Sequence, residues 1–152
     1  MTPTRFCATL FAALLLAAPV HADDGLVTVA SPHSVAGTID RLAAALESKG
    51  MTVFTRINHA ANATKADLAL RPTEVLIFGN PKIGTPLMNC AQRLAIDLPQ
   101  KMLAYEDEQG QVHLAYNAPA YLNARHGASA CDAVFAKVTG ALANFAKAAT
   151  AP

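Results

Sequence analysis

The chain has 152 residues, of which 53% are hydrophobic and 15% charged. Twelve basic residues against eleven acidic ones give a formal charge of +1, without the basic excess that binding to nucleic acid or an anionic membrane surface imposes on a domain. Alanine supplies 33 residues and tryptophan none, so the core holds less side-chain volume than the hydrophobic fraction suggests.

Residues 1–22, MTPTRFCATLFAALLLAAPVHA, read as a signal peptide. Arg5 gives a positive start, Phe6 to Ala18 form a short apolar run, and Val20 and Ala22 fit the small-residue cleavage pattern. The expected product is exported, periplasmic or secreted, after cleavage near Ala22. Residues 23–152 then form a single domain, enough for one core and too few for two. They are formally neutral, and no stretch approaches the ~18 consecutive apolar residues of a membrane span, so no membrane insertion is expected. Cys7 leaves with the leader. Cys90 and Cys131 remain, and in an oxidising compartment a lone pair is expected to form a disulfide.

The elements follow in chain order. Gly25 to Ala30 reads as a strand, and Ser31-Pro32 as the cap and first residue of a helix. Val35, Ile39, Leu42 and Leu46 make one apolar helical stripe, closed by Lys49 and Gly50. Met51 to His59 alternates as a strand. Residues 60–70 are open between a short helix and a loop. Val75 to Phe78 is a solid apolar run, expected as a strand covered on both faces. Gly79 to Pro86 reads as a turn-rich connection, with Thr85 capping a helix whose face is Leu87, Ala91, Leu94 and Leu98 and which Pro99 stops. Lys101 to Tyr105 and Val112 to Tyr116 flank a charged turn as a hairpin. A short helix opens at Asn117 and Pro119 and closes at Gly127. Val134, Val138, Leu142 and Phe145 mark a final helix, with residues 148–152 frayed. The order implies an α+β fold: a strand–helix unit, then an antiparallel sheet with helices packed on one face, a two-layer sandwich.

The stretches RPTEVLIFGNPKIGTPLM, IDLPQKMLAYEDEQGQVHLAYN and PAYLNARHG resemble the domain-of-unknown-function 302 (DUF302) family over nearly the whole chain after the leader. The resemblance implies the same α+β architecture and a homodimer, and almost no chemistry. Two positions depart from the family pattern. Asn58 stands before His59 where an aspartate is common, and Asp67 stands where a glycine is common. An asparagine accepts a hydrogen bond but holds no charge, which weakens any carboxylate–histidine pair there.

The connection after the apolar strand is the best candidate site. It carries Asn80, Lys82, Gly84 and Thr85, and a helix N-terminus with free amides beside a lysine suits an anion. His59 is added as a further candidate. The spacing superficially suggests a phosphate loop, but no lysine precedes Thr85 directly, and Pro81 and Pro86 remove two amide donors, so nucleotide hydrolysis is rejected. The alternative is a tight connection that glycine and proline merely shape. His59, His113 and His126, with Met88 or Cys90, lack metal-ligand spacing, so no metal or cofactor is expected and the three histidines read as separate and partly exposed. Glu74 reads as one half of an ion pair with Arg71, Lys82 or Lys101, and Glu106, Asp107 and Glu108 as a solvated hairpin tip. No triad is present. The favoured function is therefore an exported module that binds or senses a small ligand, an anion among the options. Against it stand an enzyme whose pocket the sequence does not expose, and a dimeric interaction protein with no ligand.

Overall fold

The structure is a computed structural model that describes residues 25–152; the expected leader lies outside the described residues. Its backbone is a five-stranded, wholly antiparallel sheet in the order β1-β5-β4-β3-β2. The strands are β1 (Leu26–Ser31), β2 (Thr52–Asn58), β3 (Thr73–Gly79), β4 (Gln100–Glu106) and β5 (Val112–Asn117). The helices are α1 (Val35–Ser48), α2 (His59–Thr64), α3 (Pro81–Cys90), α4 (Pro119–His126) and α5 (Asp132–Thr150). Because β1 and β2 occupy opposite edges, α1 crosses the whole sheet to join them. The mixed α+β fold, with helices layered on a sheet, is the expected one.

Period-two alternation decides which side chains meet the helices. Leu76 and Phe78 of β3, Met102 and Ala104 of β4, and Leu114 and Tyr116 of β5 are buried in one core with Ile39, Leu42 and Leu46 of α1 and Phe135, Val138, Leu142 and Phe145 of α5. The Phe78 and Phe145 rings meet edge to face with centroids 6.4 Å apart. Val75 and Ile77 fall between the buried positions of β3 and are only half-buried, so this strand is covered on one face, not both. Its continuous apolar run reflects two different environments.

Four local readings are corrected. The cap of α1 is Ser34, whose hydroxyl accepts from Gly37 N; Ser31 completes β1 and hydrogen-bonds Thr38. Residues 81–86 are not a turn but the first half of α3, capped by Asn80, with Pro81 at the first position and Thr85 inside the helix. The stripe from Leu87 to Leu98 is not one helix. Ala91 turns extended (φ −150°, ψ 100°), and residues Gln92–Ile96 form a separate 3₁₀ turn. Residues 148–152 are held in place: Ala149 is fully buried, and the Ala151 carbonyl accepts from His33 Nε2 and Arg41 Nη2. Residues His59–Thr64 settle as a helix. Gly50 and Gly127 close α1 and α4 with positive φ, as expected of helix C-termini.

Candidate functional site

The site is built where β3 runs out. Asn80 leaves the strand with extended backbone, and its Oδ1 accepts from Lys82 N at 2.9 Å. Its carbonyl accepts from Ile83 N and Gly84 N, both at 2.9 Å, and Pro81 has no N–H. The amides expected to face an anion are thus already bonded to Asn80. That is the ordinary economy of a capped helix, and it removes the backbone anion cradle read from the sequence.

A hollow remains beside them. A cavity of about 780 Å³ opens between α3, the middle of α5 and the ends of β2, β3 and β4. Buried Phe78, Leu87, Leu142 and Phe145 line it, together with Met51, Leu98, Val134 and Val138. On α5 the lining residues Val134, Lys137, Val138, Ala141, Leu142 and Phe145 recur at three- and four-residue spacing, one face of the helix. Phe54 and Ile83, both exposed, belong to the same lining. Phe54 sits at an irregularity in the β2–β3 register. A Cβ added at Gly79 would lie 3.2 Å from the Phe54 ring and 3.5 Å from Pro99, so the glycine lets that ring approach the strand end closely.

Of the residues expected at the site, Asn80, Lys82, Gly84 and Thr85 all line this cavity. Lys82 and Lys137, which also lines it, are exposed, and neither makes an ion pair among the described residues. His59 is elsewhere. Asn58 pairs with Glu74 and Thr52 with Gly79, which puts His59 at the opposite end of the sheet, about 23 Å of strand from Asn80. The apolar lining was the part sequence reasoning missed. Its signal was present in the α5 stripe of Val134, Val138, Leu142 and Phe145, all four of which line the cavity.

The charged groups elsewhere form structural pairs. Glu74 is buried and bonds Arg56 Nε at 2.5 Å and Asn58 Nδ2 at 2.8 Å, not the bases expected for it. Arg56 also meets Asp40, and these two carboxylates hold its pKa above the ordinary value. Asn58 Oδ1 meanwhile accepts from Ala61 N and caps α2. An aspartate here would face Glu74 with like charge, so the amide at this position matches its neighbour. Asp107 is more than a solvated tip: it accepts from Gln109 N, Gln111 N and His113 Nε2, and the His113 bond above all lowers its pKa. His126 is buried rather than partly exposed and lies 2.6 Å from Asp97. Among the described residues no three His, Cys, Asp or Glu side chains gather to hold a metal ion, and no helix is long and apolar enough to cross a membrane. Cys90 and Cys131 are joined in a disulfide with their Cα atoms 6.2 Å apart, tying the end of α3 to the turn before α5.

The family model "Domain of unknown function DUF302" matches residues 27–145. The chain belongs to the DUF302 family. Among its relatives, "Fluoride-specific ion channel FluC 1" of Brucella suis biovar 1 is 53% identical over 120 residues, covering 78% of this chain and 47% of that protein. The protein of the same name from Brucella abortus biovar 1 is also 53% identical over 120 residues, covering 78% of this chain and 44% of its own length. This DUF302 chain therefore spans less than half of either relative. The crystal structure of an uncharacterized conserved DUF302 protein from Bacillus stearothermophilus shares the fold, with a TM-score of 0.75 at 20% identity, over 83% of this chain and 98% of that one.

Proposed function

We propose that this DUF302 domain is an exported binding or sensing module that holds a small, largely apolar ligand in the cavity between α3 and α5. The observation that carries the reading is the cavity itself: about 780 Å³, lined by Phe78, Leu142 and Phe145 inside and by exposed Phe54 and Ile83. Small-molecule sites are concave, mostly apolar and carry few polar groups, and here those groups are Asn80, Lys82, Thr85, Gln100 and Lys137. In this reading Asn80, Lys82, Gly84 and Thr85 remain the proposed ligand contacts, with the ligand touching side chains instead of amides. The channel name belongs to proteins of which this chain spans under half and supplies no part of this argument.

The test uses a neutral apolar fluorophore, N-phenyl-1-naphthylamine, titrated into the protein and into an Ala141→Phe variant. The phenylalanine ring projects from α5 into the cavity. Saturable binding to the wild type, lost in the variant while the fold is retained by circular dichroism, is the expected result. Equal binding by both, or none by the wild type, rejects the cavity as a ligand site.

The reading includes a homodimer, the family expectation. Half-buried Val75, Ile77 and Leu103 alternate with the core positions of β3 and β4, so the second sheet face is apolar enough to meet another copy. Sedimentation of the wild type and a Leu103→Lys variant checks this: a dimer lost in the variant supports it, and a monomeric wild type rejects it.

A further inference from the structure

A second, shallower hollow of about 630 Å³ adjoins the apolar cavity. It is lined by Arg93, Ala95, Ile96, Arg125 and His126, and Ala95 lines both hollows. The 3₁₀ turn that replaces the expected long helix makes this arrangement: it brings Arg93 round beside the last turn of α4, where Arg125 and His126 sit. Asp97 is the carboxylate paired there, with His126 Nε2 at 2.6 Å and Arg125 Nη1 at 3.5 Å. Arg93 makes no ion pair among the described residues. Two guanidinium groups thus share one hollow with a single carboxylate, and positive charge is left over.

Resting on the cavity reading above, we propose that the ligand is a single-chain amphiphile, with its apolar chain in the cavity and an anionic head group at Arg93 and Arg125. Three features support this. Guanidinium groups present planar paired donors that suit carboxylate and phosphate oxygens. Asp97 is engaged by His126 and Arg125, so it holds the second arginine in place without competing for Arg93. The shared residue, Ala95, is small and lines both hollows, so they are neighbours at that point. Lys82 and Lys137 lie around the larger cavity and serve as the rival location for the head group.

The experiment measures dodecanoate and dodecan-1-ol by displacement of N-phenyl-1-naphthylamine from the full exported chain. Wild type, Arg93→Gln, Arg125→Gln and Lys82→Gln/Lys137→Gln proteins are compared. Dodecanoate is expected to bind the wild type about tenfold tighter than the alcohol, the scale of one charge-assisted hydrogen bond. Arg93→Gln removes an unpaired surface arginine, so the fold is kept, and it abolishes the preference while leaving the alcohol unchanged. Arg125→Gln does the same where it folds. Equal binding of acid and alcohol to the wild type overturns the head-group site and leaves the cavity reading standing. Loss of the preference only in the double lysine variant also overturns it. Failure of both ligands, and of the fluorophore alone, overturns the cavity reading itself.

Discussion

Replacing Cys90 by serine removes the disulfide and little else. Cys90 is exposed at the end of α3, so the new hydroxyl meets water. Cys131 is 6% exposed, and its sulfur lies 3.6 Å from the Pro86 carbonyl, to which the thiol freed in the variant can donate. The bridge closes a loop with a sequence separation of 41, and the chain-entropy model values such a closure at about 4 kcal/mol. For a domain of this size, with an unfolding entropy of about 2 cal/mol/K per residue, the melting temperature should fall by about 15 °C. The loss should be concentrated at α3, because Leu87 is the one buried residue of that helix and the bridge is its other anchor. Affinity for N-phenyl-1-naphthylamine should therefore fall too, since α3 forms one wall of the cavity. Calorimetry of oxidised wild type, reduced wild type and Cys90→Ser is the assay. The last two should melt together, well below the first. Oxidised wild type melting within ~3 °C of the variant would refute the reasoning, and unchanged probe affinity would separate the bridge from the cavity.

Asn80→Ala removes the side-chain acceptor of Lys82 N and should cost about 1 kcal/mol in urea unfolding; no loss would mean that water caps α3 equally well. Asp107 has its pKa lowered chiefly by His113, then by the Gln111 amide. Its stabilisation is present above the unfolded value near ~4 and is lost as pH falls through the lower folded value. Stability of wild type and Asp107→Asn should thus differ at pH 6 and converge in acid, and a gap independent of pH contradicts the assignment. Asp67 adopts φ 57°, a region that disfavours residues with a Cβ. Asp67→Gly should therefore stabilise the protein by about 0.5–1 kcal/mol against urea, and destabilisation would show that the carboxylate does more than tolerate the turn.

How much was legible follows from what each element depends on. The α1 stripe, the β4–β5 hairpin and the α4 closure at Gly127 rest on local periodicity and turn chemistry, and they form as read. Asp67 is a similar case: a position where the family favours glycine proves to have positive φ. The disulfide was legible from the cysteine count and the expectation of export. What failed depends on partners distant in sequence. Residues 148–152 look like a fraying tail until His33 and Arg41 bond the Ala151 carbonyl. Glu74 could not be assigned to Arg56 before the β2–β3 register was known. His59 was grouped with Asn80 because sequence gives no sign of which sheet end a residue occupies. Proline in α3 was read as a turn signal, yet Pro86 lies where only one bond, to the Lys82 carbonyl, is forgone.

That proline-bearing helix also accounts for the cavity. With Pro81, Gly84 and Pro86, α3 has poor intrinsic propensity and a single buried contact. It ends early at Ala91, so Leu94 and Leu98 do not continue its face across Phe78 and Phe145. The space a longer amphipathic helix would have filled is left open. The Asn80 cap and the edge-to-face phenylalanine pair lie on its margin, and the disulfide ties down the end of α3, the helix that forms one wall. Small residues face it at Gly84, Ala95 and Ala141, and a Cβ added at Gly84 meets nothing within 4 Å, so larger apolar side chains there would fill part of the space and gain burial. A chain shaped by packing alone would have taken that gain. Keeping the hollow open, with arginines at one side and exposed Phe54 and Ile83 around it, is the arrangement expected when the missing volume belongs to a ligand.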